Sequence, residues 1–366
     1  MPSDLNLPAQ ACAEVEGLEA TARLHEFPER LYAWSFPRWK WRFVRRCFPG
    51  RQVTFVEPGA RLSQPAGLLL WGSAERPDGM PKEMPVVRME DGFLRSVGLG
   101  AELTRPLSWV VDTRGMYYDA SQPSDLEWLL QHAEFTPTCR ARAAALREAV
   151  AAGGVTKYNV GQGEWARPAD VPRVILVPGQ VESDASIARG GAAVRGNMAL
   201  LQAVRAANPD AFLVYKPHPD VEARLRILGA QEDEAERWCD ACVSDVPMER
   251  MLAQVDEVHT MTSLSGFEAL LRGLRVVCYG HPFYAGWGLT EDKVPLPRRS
   301  RRLALDELVA GALILYPLYL DIAGRGLSTP EGTLQALQAW KSRQQGRVPW
   351  WRGAYRAILR RAIGVR

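Results

Sequence analysis

The sequence lacks the segments that mark secreted and membrane-spanning proteins. Its first residues, 1–16, are acidic and contain no apolar core of a signal peptide. The longest uncharged apolar run, residues 308–320, contains Pro317 and is too short to cross a bilayer, so it predicts a buried helix. Together these absences predict a cytoplasmic protein.

Cysteine is sparse, with six residues scattered along the chain and no disulfide rhythm. Cys239 and Cys242 form a single C-x-x-C, which lacks the second ligand pair that a structural zinc site needs. The spacing therefore predicts reduced, mostly buried thiols.

Several catalytic signatures are also missing. The chain has no Walker A sequence, no G-x-S-x-G nucleophile elbow and no Asp-x-Asp. The last absence argues against a metal-dependent GT-A transferase that binds a nucleoside diphosphate. The formal net charge of +3 is too small to indicate a nucleic-acid-binding protein.

The sequence does contain apolar strand patterns followed by polar loops, in a chain of 366 residues that can form two domains. In the first half, short apolar runs predict parallel strands at 53–56, 68–71 and 86–89, a strand at 108–112, and helices from 125 and over 139–152. In the second half, strands alternate with helices at βαβ spacing, at 174–177, 212–215, 255–258 and 276–279.

A polar, Gly/Pro-rich stretch at 155–172 separates these halves and predicts an interdomain connection. We therefore expect an α/β protein with two Rossmann-like domains that face each other across a central cleft, the GT-B-like layout. The predicted N-terminal domain covers residues 1–168, with a ragged leader at 1–28. The predicted C-terminal domain covers 169–340, and residues 341–366 form a basic amphipathic tail.

The loop after the strand at 174–177 holds the first candidate site. Pro178 and Gly179 end the strand. Five polar side chains follow, namely Gln180, Glu182, Ser183, Asp184 and Ser186. Open α/β sheets bind ligands beyond the carboxyl ends of their strands, so chemistry is expected here. The alternative is a solvated turn in which an Asp or Ser caps the next helix.

A second loop with adjacent carboxylates follows the strand at 86–89. Glu90 and Asp91 come first, and Arg95 follows among three glycines at positions 92, 98 and 100. Glycines permit positive φ or a close approach of the backbone to a ligand. This loop predicts the part of the site that the N-terminal domain contributes.

A third group of polar residues opens a predicted helix after the strand at 255–258. Its members are Thr262, Ser263, Ser265 and Gly266. Hydroxyls and free backbone N–H groups at a helix N-terminus can accept a phosphate, and Glu268 is then within reach of ribose hydroxyls. The alternative is a capping box in which Ser265 is the N-cap and Glu268 the third helical residue.

Two histidines follow predicted strands. Prolines at 217 and 219 stiffen the turn that carries Lys216 and His218. His281 precedes a run of aromatic residues, including Tyr284, that suits one wall of a pocket. The alternative for His218 is a purely structural role.

Basic and aromatic residues alternate near both ends of the chain, at 27–51 and 340–366. Such segments bind anionic membrane surfaces. For 27–51 the alternatives are a core-packing helix with a basic outer face, or a stacking surface for single-stranded nucleic acid, which no other feature supports. For the C-terminal segment the alternative is a helix packed on the N-terminal domain.

Taken together, these motifs resemble the KpsC/LipA family of capsule polysaccharide biosynthesis proteins, which are retaining β-Kdo transferases that use CMP-Kdo. The resemblance covers roughly residues 50–300. Its motifs are 88–96 with 98–100, 106–108 with 117–119, 157–159, 177–187, 216–219, 262–273 and 282–290. KpsC-type proteins commonly carry two such modules in tandem, whereas this chain has one, so the resemblance implies a single Kdo linkage.

The resemblance implies a double displacement, because two successive displacements retain configuration. It implies Asp184 as the nucleophile, with Glu182 as the rival, and Glu90 as the base for the acceptor hydroxyl. His218 would assist the leaving phosphate or the intermediate. Further substrate-binding candidates are Lys216, His218 or Ser186 for the sugar carboxylate, residues 262–266 for the single phosphate, and Asp91, Arg95, Lys157, His281 and Tyr284 elsewhere. Neither a metal nor another cofactor is expected.

The implied acceptor is a Kdo-bearing lipid or glycan, and the basic ends predict docking on the inner face of the inner membrane. Two alternatives stay open. One is a transferase that uses another CMP-sugar, such as CMP-sialic acid. The other is a catalytically silent component of capsule assembly held at the membrane. Donor binding and donor hydrolysis would separate them.

Overall fold

The computed structural model describes residues 24, 27–57, 59, 66–99, 103–191, 193–324 and 326–344. Most of the predicted leader at 1–28 lies outside these residues, as does the predicted tail from residue 345 onward. Two β-sheets organise the described chain, and helices cover them.

The strands, in chain order, are β1 (Arg30–Trp34), β2 (Gln52–Phe55), β3 (Gly67–Trp71), β4 (Val86–Asp91), β5 (Ser108–Asp112), β6 (Val174–Pro178), β7 (Phe212–Lys216), β8 (Ala241–Cys242), β9 (Glu257–Thr260), β10 (Arg275–Cys278), β11 (Glu291–Asp292), β12 (Pro317–Leu320) and β13 (Leu327–Ser328). The α-helices are α1 (Trp41–Cys47), α2 (Asp125–His132), α3 (Pro137–Ala152), α4 (Ala185–Arg189), α5 (Asn197–Ala207), α6 (Pro219–Glu222), α7 (Met248–Leu252), α8 (Leu264–Leu270), α9 (Leu305–Val309) and α10 (Pro330–Gln344). Arg38–Lys40 and Glu232–Arg237 are short 3-10 helices, and Ala310–Leu315 is a π-helix.

The first sheet has the strand order β13-β12-β5-β4-β3-β1-β2. The neighbours β2, β1, β3 and β4 pair in parallel, which confirms the parallel strands predicted near 53–56, 68–71 and 86–89. β5 pairs antiparallel with β4, and β12 pairs antiparallel with β5. The strands are apolar because both faces of the sheet are covered, and Leu68, Leu69 and Leu70 are fully buried.

The basic and aromatic segment at 27–51 forms β1 and α1. β1 lies inside the sheet between β2 and β3, and Leu31 is fully buried. α1 packs on β2 and β12 and exposes Arg42 and Arg45. The interpretation of this segment as a core-packing helix is therefore wrong for its first part. The pairing partners of β1 lie elsewhere in the chain, so the local pattern does not reveal a strand.

Helices α2 and α3 begin at well-formed caps. The Ser124 hydroxyl accepts a hydrogen bond from the Glu127 N–H at 3.0 Å, and the Thr136 hydroxyl accepts one from the Cys139 N–H at 3.2 Å. Pro137 occupies the first turn of α3, where its missing N–H costs no intrahelical hydrogen bond. Both predicted helices are confirmed.

The second sheet has the strand order β11-β10-β9-β6-β7-β8, and its paired strands are all parallel. The chain runs outward from β6 to β8 and then returns to β9 on the other side of β6. This reversal creates a switch point, where the loops after β6 and β9 diverge to leave a crevice. The α/β alternation predicted for this half is confirmed.

After the second sheet the chain returns to the first one. α9 and the π-helix lead to β12, which pairs with β5. The prediction of a buried helix over 308–320 is therefore wrong beyond residue 315, because Pro317 cannot continue a helix. The predicted C-terminal domain at 169–340 is wrong in the same place, since β12 and β13 belong to the first sheet. Within the described ranges, every helix falls short of the length or the apolar character that a membrane span requires.

Four of the described cysteines are free thiols. Cys47 and Cys278 are buried, Cys239 is half-buried and Cys242 is exposed. Cys139 is disulfide-bonded, so the expectation of reduced thiols is wrong at that position.

We predict that Gly92→Ala destabilises the fold. A Cβ at this position would lie 2.7 Å from the Ser108 Oγ and 2.8 Å from the Ser108 Cβ. Overpacking of this kind costs about 1–3 kcal/mol in free energy of unfolding, which urea denaturation would measure.

The control is the double variant Gly92→Ala/Ser108→Gly. It removes both of these Ser108 atoms and should recover part of the loss, whereas an equal loss in the single and double variants would contradict the packing explanation.

Candidate functional site

A cleft of about 1490 Å³ lies where the two halves of the chain meet. The first half contributes the end of β4 and its loop, and the second contributes the loops after β6, β7 and β9. Thirteen of the predicted site residues line it, namely Glu90, Asp91, Arg95, Lys157, Gln180, Asp184, Ser186, Lys216, His218, Thr262, Ser263, Ser265 and Glu268. Polar loops from both halves therefore face one cavity.

Asp91 holds two cations at the end of β4. Its Oδ1 lies 2.6 Å from the Lys40 Nζ, and its Oδ2 lies 2.7 Å from the Arg95 Nε. Burial alone would raise the pKa of Asp91, but the positive charges and hydrogen bonds of Arg95 and Lys40 outweigh it and hold the pKa well below its ordinary value. Asp91 is therefore an ionised structural anchor of the site.

Lys40 is the site residue that sequence analysis assigned to a surface segment. It is 4% exposed, lines the cleft, and lies 3.7 Å from the centroid of the Trp71 ring. Burial lowers its pKa, while Asp91 and Glu90 oppose the shift. The sequence does not indicate this burial, because Lys40 stands among other basic residues. Only the fold brings β3 and β4 against it.

Glu90 differs from its neighbour Asp91 in its electrostatic environment. Burial raises its pKa to about 7, and Lys40 only partly offsets this shift. Its Oε1 accepts a hydrogen bond from the Asp91 N–H at 3.0 Å. Two adjacent carboxyls with pKa values shifted in opposite directions can take different roles, and a group that titrates near pH 7 suits proton transfer.

A short segment of the interdomain connection, residues 156–159, joins both halves of the site. The Ser96 N–H donates to the Lys157 carbonyl at 3.3 Å, and the Asn159 Nδ2 donates to the Ser96 carbonyl at 3.0 Å. On the other side, the Lys157 N–H donates to the Glu268 Oε1 at 2.7 Å. The connection is therefore a structural part of the cleft wall.

This contact changes the interpretation of Glu268. The N-cap of α8 is Ser263, whose Oγ accepts a hydrogen bond from the Ser265 N–H at 3.2 Å, so the predicted capping box is wrong. Glu268 is 7% exposed, and burial raises its pKa to about 7 against the opposing hydrogen bond from Lys157. Its distant partner at residue 157 overrides the local capping pattern.

Asp184 occupies the N-cap position of α4 without capping it. No described residue donates a hydrogen bond to its side chain. Burial raises its pKa, and the positive charges of Arg226 and Lys157 oppose the shift. The alternative of a helix cap therefore does not apply, and the carboxylate is available to a ligand in the cleft.

Glu182 has the opposite character. Its Oε1 accepts a hydrogen bond from the Asn197 N–H at 2.7 Å, and its Oε2 accepts one from the Ala230 N–H at 3.2 Å. It is absent from the residues that line the cleft. The structure thus places this predicted substrate-binding residue, and rival nucleophile, in a backbone-anchoring position.

Gln180 ties the loop after β6 to the loop after β9. Its Oε1 accepts a hydrogen bond from the Thr262 N–H at 3.0 Å, and its Nε2 donates to the Thr262 Oγ1 at 3.0 Å. The side chain is 6% exposed. Gln180 therefore positions Thr262 at the switch point and presents little of its own surface to a ligand. Ser186 lies one turn away on α4 and is half-buried at the cleft.

His218 is the N-cap of α6, and its Nδ1 accepts a hydrogen bond from the Asp220 N–H at 3.1 Å. Burial lowers its pKa to about 3, and the nearby cations Lys157, Arg226 and Lys216 add to the shift. The imidazole is therefore neutral at pH 7. Because Nδ1 accepts, the single ring proton resides on Nε2, which is left to donate.

Lys216 lines the same part of the cleft and is 5% exposed. Its Nζ lies 3.8 Å from the Glu222 Oε2. Burial lowers its pKa, and Glu222 opposes the shift. Among the described residues this long contact is its one ion pair, so the buried cation can attract an anionic ligand.

Three other predicted residues lie behind the cleft wall. Tyr284 is fully buried and donates a hydrogen bond to the Ser263 carbonyl. Gly266 packs against it, since a Cβ there would lie 2.3 Å from the Tyr284 hydroxyl. The His281 Nε2 lies 3.2 Å from the Val294 carbonyl. None of the three is among the residues that line the cleft, so their role as substrate-binding residues stays a prediction.

Besides Lys40, sequence reasoning missed several polar residues that line the cleft, among them Tyr158, Asp220 and Arg226. Tyr158 and Asp220 adjoin the predicted residues Lys157 and His218, so proximity in sequence was the available signal. Within the described residues no cluster of three or more His, Cys, Asp or Glu side chains is arranged to hold a metal. That no cofactor is needed stays a prediction.

A family model described as "Capsule polysaccharide biosynthesis protein" matches residues 70–153 and 157–320. The match therefore includes all three candidate loops and the whole second sheet. It also extends into β12, where the chain returns to the first sheet.

Two curated relatives are similar over most of this chain. The capsule polysaccharide modification protein LipA of Neisseria meningitidis serogroup A is 42% identical over 335 residues, which make up 89% of this chain and 48% of LipA. The lipopolysaccharide-processing protein LpsZ of Rhizobium meliloti is 40% identical over 299 residues, 77% of this chain and 68% of LpsZ. This chain spans about half the length of LipA.

Two solved structures share the fold. The β-Kdo 2,7 transferase of Thermosulfurimonas dismutans KpsC is 37% identical with a TM-score of 0.69, covering 85% of this chain and 99% of that one. The β-Kdo 2,4 transferase of the same KpsC is 29% identical with a TM-score of 0.68, covering 86% and 99%. The predicted α/β, GT-B-like fold with two Rossmann-like halves facing a cleft is confirmed.

We predict that Asp91→Asn lowers the free energy of unfolding at pH 7 by about 3–5 kcal/mol, because it leaves buried cations without their carboxylate. The folded pKa of Asp91 lies below its ordinary value of 3.8, so the stabilisation is present above that pH and is lost as the pH falls through the folded pKa. Urea unfolding from pH 7 to pH 3 should show the difference between variant and wild type shrink.

Glu90→Gln is the matched control for Asp91→Asn. The pKa of Glu90 is raised, so its ionised form does not stabilise the fold and the substitution should cost little at pH 8. Equal losses for the two variants at pH 8 would contradict the division of roles between these carboxyls.

Proposed function

The chain belongs to the family of capsule polysaccharide biosynthesis proteins, as its motifs predicted, and from this premise we propose that it is a retaining β-Kdo transferase. It moves Kdo from CMP-Kdo to a Kdo-bearing lipid or glycan. The similarity to two solved structures named as β-Kdo transferases supports this proposal.

The observation that carries the proposal is the contrast among the carboxyls of one cleft. Asp184 has no hydrogen-bond donor among the described residues, and Glu90 enters from the other half of the chain with a pKa of about 7. Asp91, in the same cleft, is held by two cations, whereas Glu182 lies outside the cleft lining and is held by backbone N–H groups. One free carboxylate and one titratable carboxyl are what a double displacement requires.

In the first step the Asp184 carboxylate attacks the anomeric carbon of the sugar. A carbon–oxygen bond to Asp184 forms as the bond to the phosphate breaks, and CMP leaves with the electron pair. In the second step Glu90 takes the proton of the acceptor hydroxyl, whose oxygen attacks the same carbon and displaces Asp184. Each step inverts the configuration, so the product retains it.

The second half of the chain binds the donor in this proposal. Lys216 supplies positive charge, and the hydroxyls of Thr262, Ser263 and Ser265 supply donors for the single phosphate and the sugar carboxylate. His218 is neutral and donates from Nε2, so it stabilises charge on the departing phosphate as a hydrogen-bond donor. A single phosphate held in this way calls for no metal.

The first half faces the acceptor, and its outer surface suits an anionic membrane. Arg42 and Arg45 are exposed on α1 and belong to the basic segment at 27–51. Exposed arginines next to aromatic rings bind acidic lipid surfaces, at about 1 kcal/mol for each nearby charge. We therefore place the protein at the inner face of the inner membrane, where a lipid-linked acceptor would be available.

We predict that Asp184→Asn lowers transfer by a factor on the order of 10³ or more, because an amide cannot act as the nucleophile. The measurement is mass spectrometry of the product formed from CMP-Kdo and a short synthetic Kdo-terminated acceptor. Wild type should add one Kdo residue.

Ser183→Ala is the matched control, since Ser183 is exposed beside Asp184 and lies outside the cleft lining. Full transfer by Asp184→Asn would overturn the assignment and point to another carboxyl. CMP release without product would move the question to the acceptor. Folded wild-type protein with no donor turnover would favour another CMP-sugar or a silent assembly role.

We predict that Glu90→Gln blocks the second step and leaves the first. Loss of a general base lowers transfer by about 10²–10⁴-fold. Wild-type kcat should rise with pH through about 7 as Glu90 ionises, and the variant should lose this rise.

Intact-protein mass spectrometry provides the second readout for Glu90→Gln. With CMP-Kdo present, the variant should accumulate protein heavier by one Kdo residue. The adduct should be absent from Asp184→Asn/Glu90→Gln. A Glu90→Gln variant that releases no CMP, or that transfers at the wild-type rate, would contradict the role of Glu90 as acceptor base.

A further inference from the structure

Asp220 is a buried carboxyl in the cleft that lacks a partner. Its side chain is 6% exposed, and its Oδ1 is shielded from solvent with no hydrogen bond. Among the described residues, none donates a hydrogen bond to either of its oxygens. An unpaired buried polar group costs about 1–3 kcal/mol, so its presence calls for an explanation outside the stability of the fold.

The backbone fixes where this carboxyl lies. The Asp220 N–H donates to the His218 Nδ1 at 3.1 Å, and the Asp220 carbonyl accepts hydrogen bonds from the N–H groups of Leu225 and Arg226 at 2.8 and 3.1 Å. In each of these hydrogen bonds Asp220 takes part through its main chain and not through its carboxyl. The side chain is thus free of a local structural role, although it lines the cleft next to His218.

Charged groups from both halves of the site surround Asp220. Burial raises its pKa to about 6, Arg226, Arg95 and Lys157 oppose the shift, and Asp184 adds to it. None of the three cations forms an ion pair with Asp220. They lower its pKa from a distance and leave its carboxyl oxygens without a hydrogen-bond donor. Asp184 and Asp220 line the same cleft.

We infer that Asp220 recognises the donor sugar, with its protonated carboxyl donating a hydrogen bond to the carboxylate of the ulosonic acid. This inference rests on the proposed function, because it takes the sugar to be one with a carboxylate on its anomeric carbon. Asp184 attacks that carbon, and Asp220 lines the same cleft with an unpaired carboxyl that a sugar carboxylate bound there can reach. The contact is a binding one and involves no covalent step.

The negative charge of the donor favours the protonated form of Asp220. A donor that brings a phosphate and a carboxylate into the cleft adds negative charge near Asp220, which raises its pKa further. Two ionised carboxylates at hydrogen-bond distance repel each other, whereas a carboxylic acid and a carboxylate share a proton. The competing possibility is an ionised Asp220 that accepts a hydrogen bond from a sugar hydroxyl.

Asp220→Asn and Asp220→Ala distinguish these possibilities. The amide of Asn donates a hydrogen bond at every pH, as the protonated acid does, and Ala donates none. We expect Asp220→Ala to lower kcat/KM for CMP-Kdo by about 10–100-fold at pH 6, and Asp220→Asn to stay within about 3-fold of wild type there.

The pH dependence gives the sharper test, because kcat/KM reports the ionisation of the free enzyme. Wild type loses the acid form of Asp220 as the pH rises through about 6, whereas Asn keeps its donor. The ratio of kcat/KM for Asp220→Asn to that for wild type should therefore rise by at least about 10-fold from pH 5.5 to pH 8. Taking this ratio removes the contribution of other titrating groups, such as Glu90 and Glu268.

Two further readouts separate recognition from structure. CMP lacks the sugar, so its inhibition constant should change less than about 2-fold in either variant. The melting temperature should not fall, because no hydrogen bond to the carboxyl is lost. Asp233→Asn, an exposed carboxyl of the same half outside the cleft, is the control and should match wild type in every readout.

Each outcome decides between these ideas. An Asp220→Asn variant as impaired as Asp220→Ala, with a flat ratio across pH, would overturn the inference in favour of an ionised acceptor. Lower melting temperatures with weaker CMP inhibition would show a structural role, and wild-type rates in both variants would show no role. Wild-type protein that does not turn over CMP-Kdo would instead remove the proposed function, and the inference with it.

Discussion

The segment 156–159 is the constraint on which the rest of the site depends. It follows the first half of the chain, yet its backbone pairs with the loop after β4 and with Glu268 of α8. The loop after β4 and the helix that follows β9 therefore contact the same four residues. One segment therefore contacts both walls of the cleft and links the two halves of the chain.

The carboxyls of the cleft show how burial and pairing together set chemical roles. Burial alone would raise the pKa of Glu90, Asp91 and Asp220. Asp91 is ionised nonetheless, because two cations bind it, while Glu90 and Asp220 lack such partners and titrate close to neutrality. The protein thus obtains an anchor and two proton-sensitive groups from one kind of functional group, the carboxyl, by varying which atoms lie within hydrogen-bond distance.

Much of the fold could be predicted from the sequence, because the strands β6, β7 and β10 of the second half are largely apolar runs that lead into polar loops. The same rule located Asp184 and Glu90, since parallel strands place their carboxyl ends at one edge of a sheet. The pattern could not show contacts between distant residues. Lys40 appeared to be one of several surface cations, and Glu268 appeared to be a local cap. The sequence could not show that Glu268 instead accepts a hydrogen bond from the backbone of residue 157, because only the fold brings the two together.

The return of the chain to the first sheet has a consequence for biosynthesis. β5 pairs with β4 on one side, and its other neighbour, β12, is translated only after the whole second sheet. Until then β5 has a free edge, and exposed strand edges are prone to pairing with other chains. During synthesis the later half can therefore complete its sheet before the earlier half does, which reverses the usual order in which domains form along a nascent polypeptide.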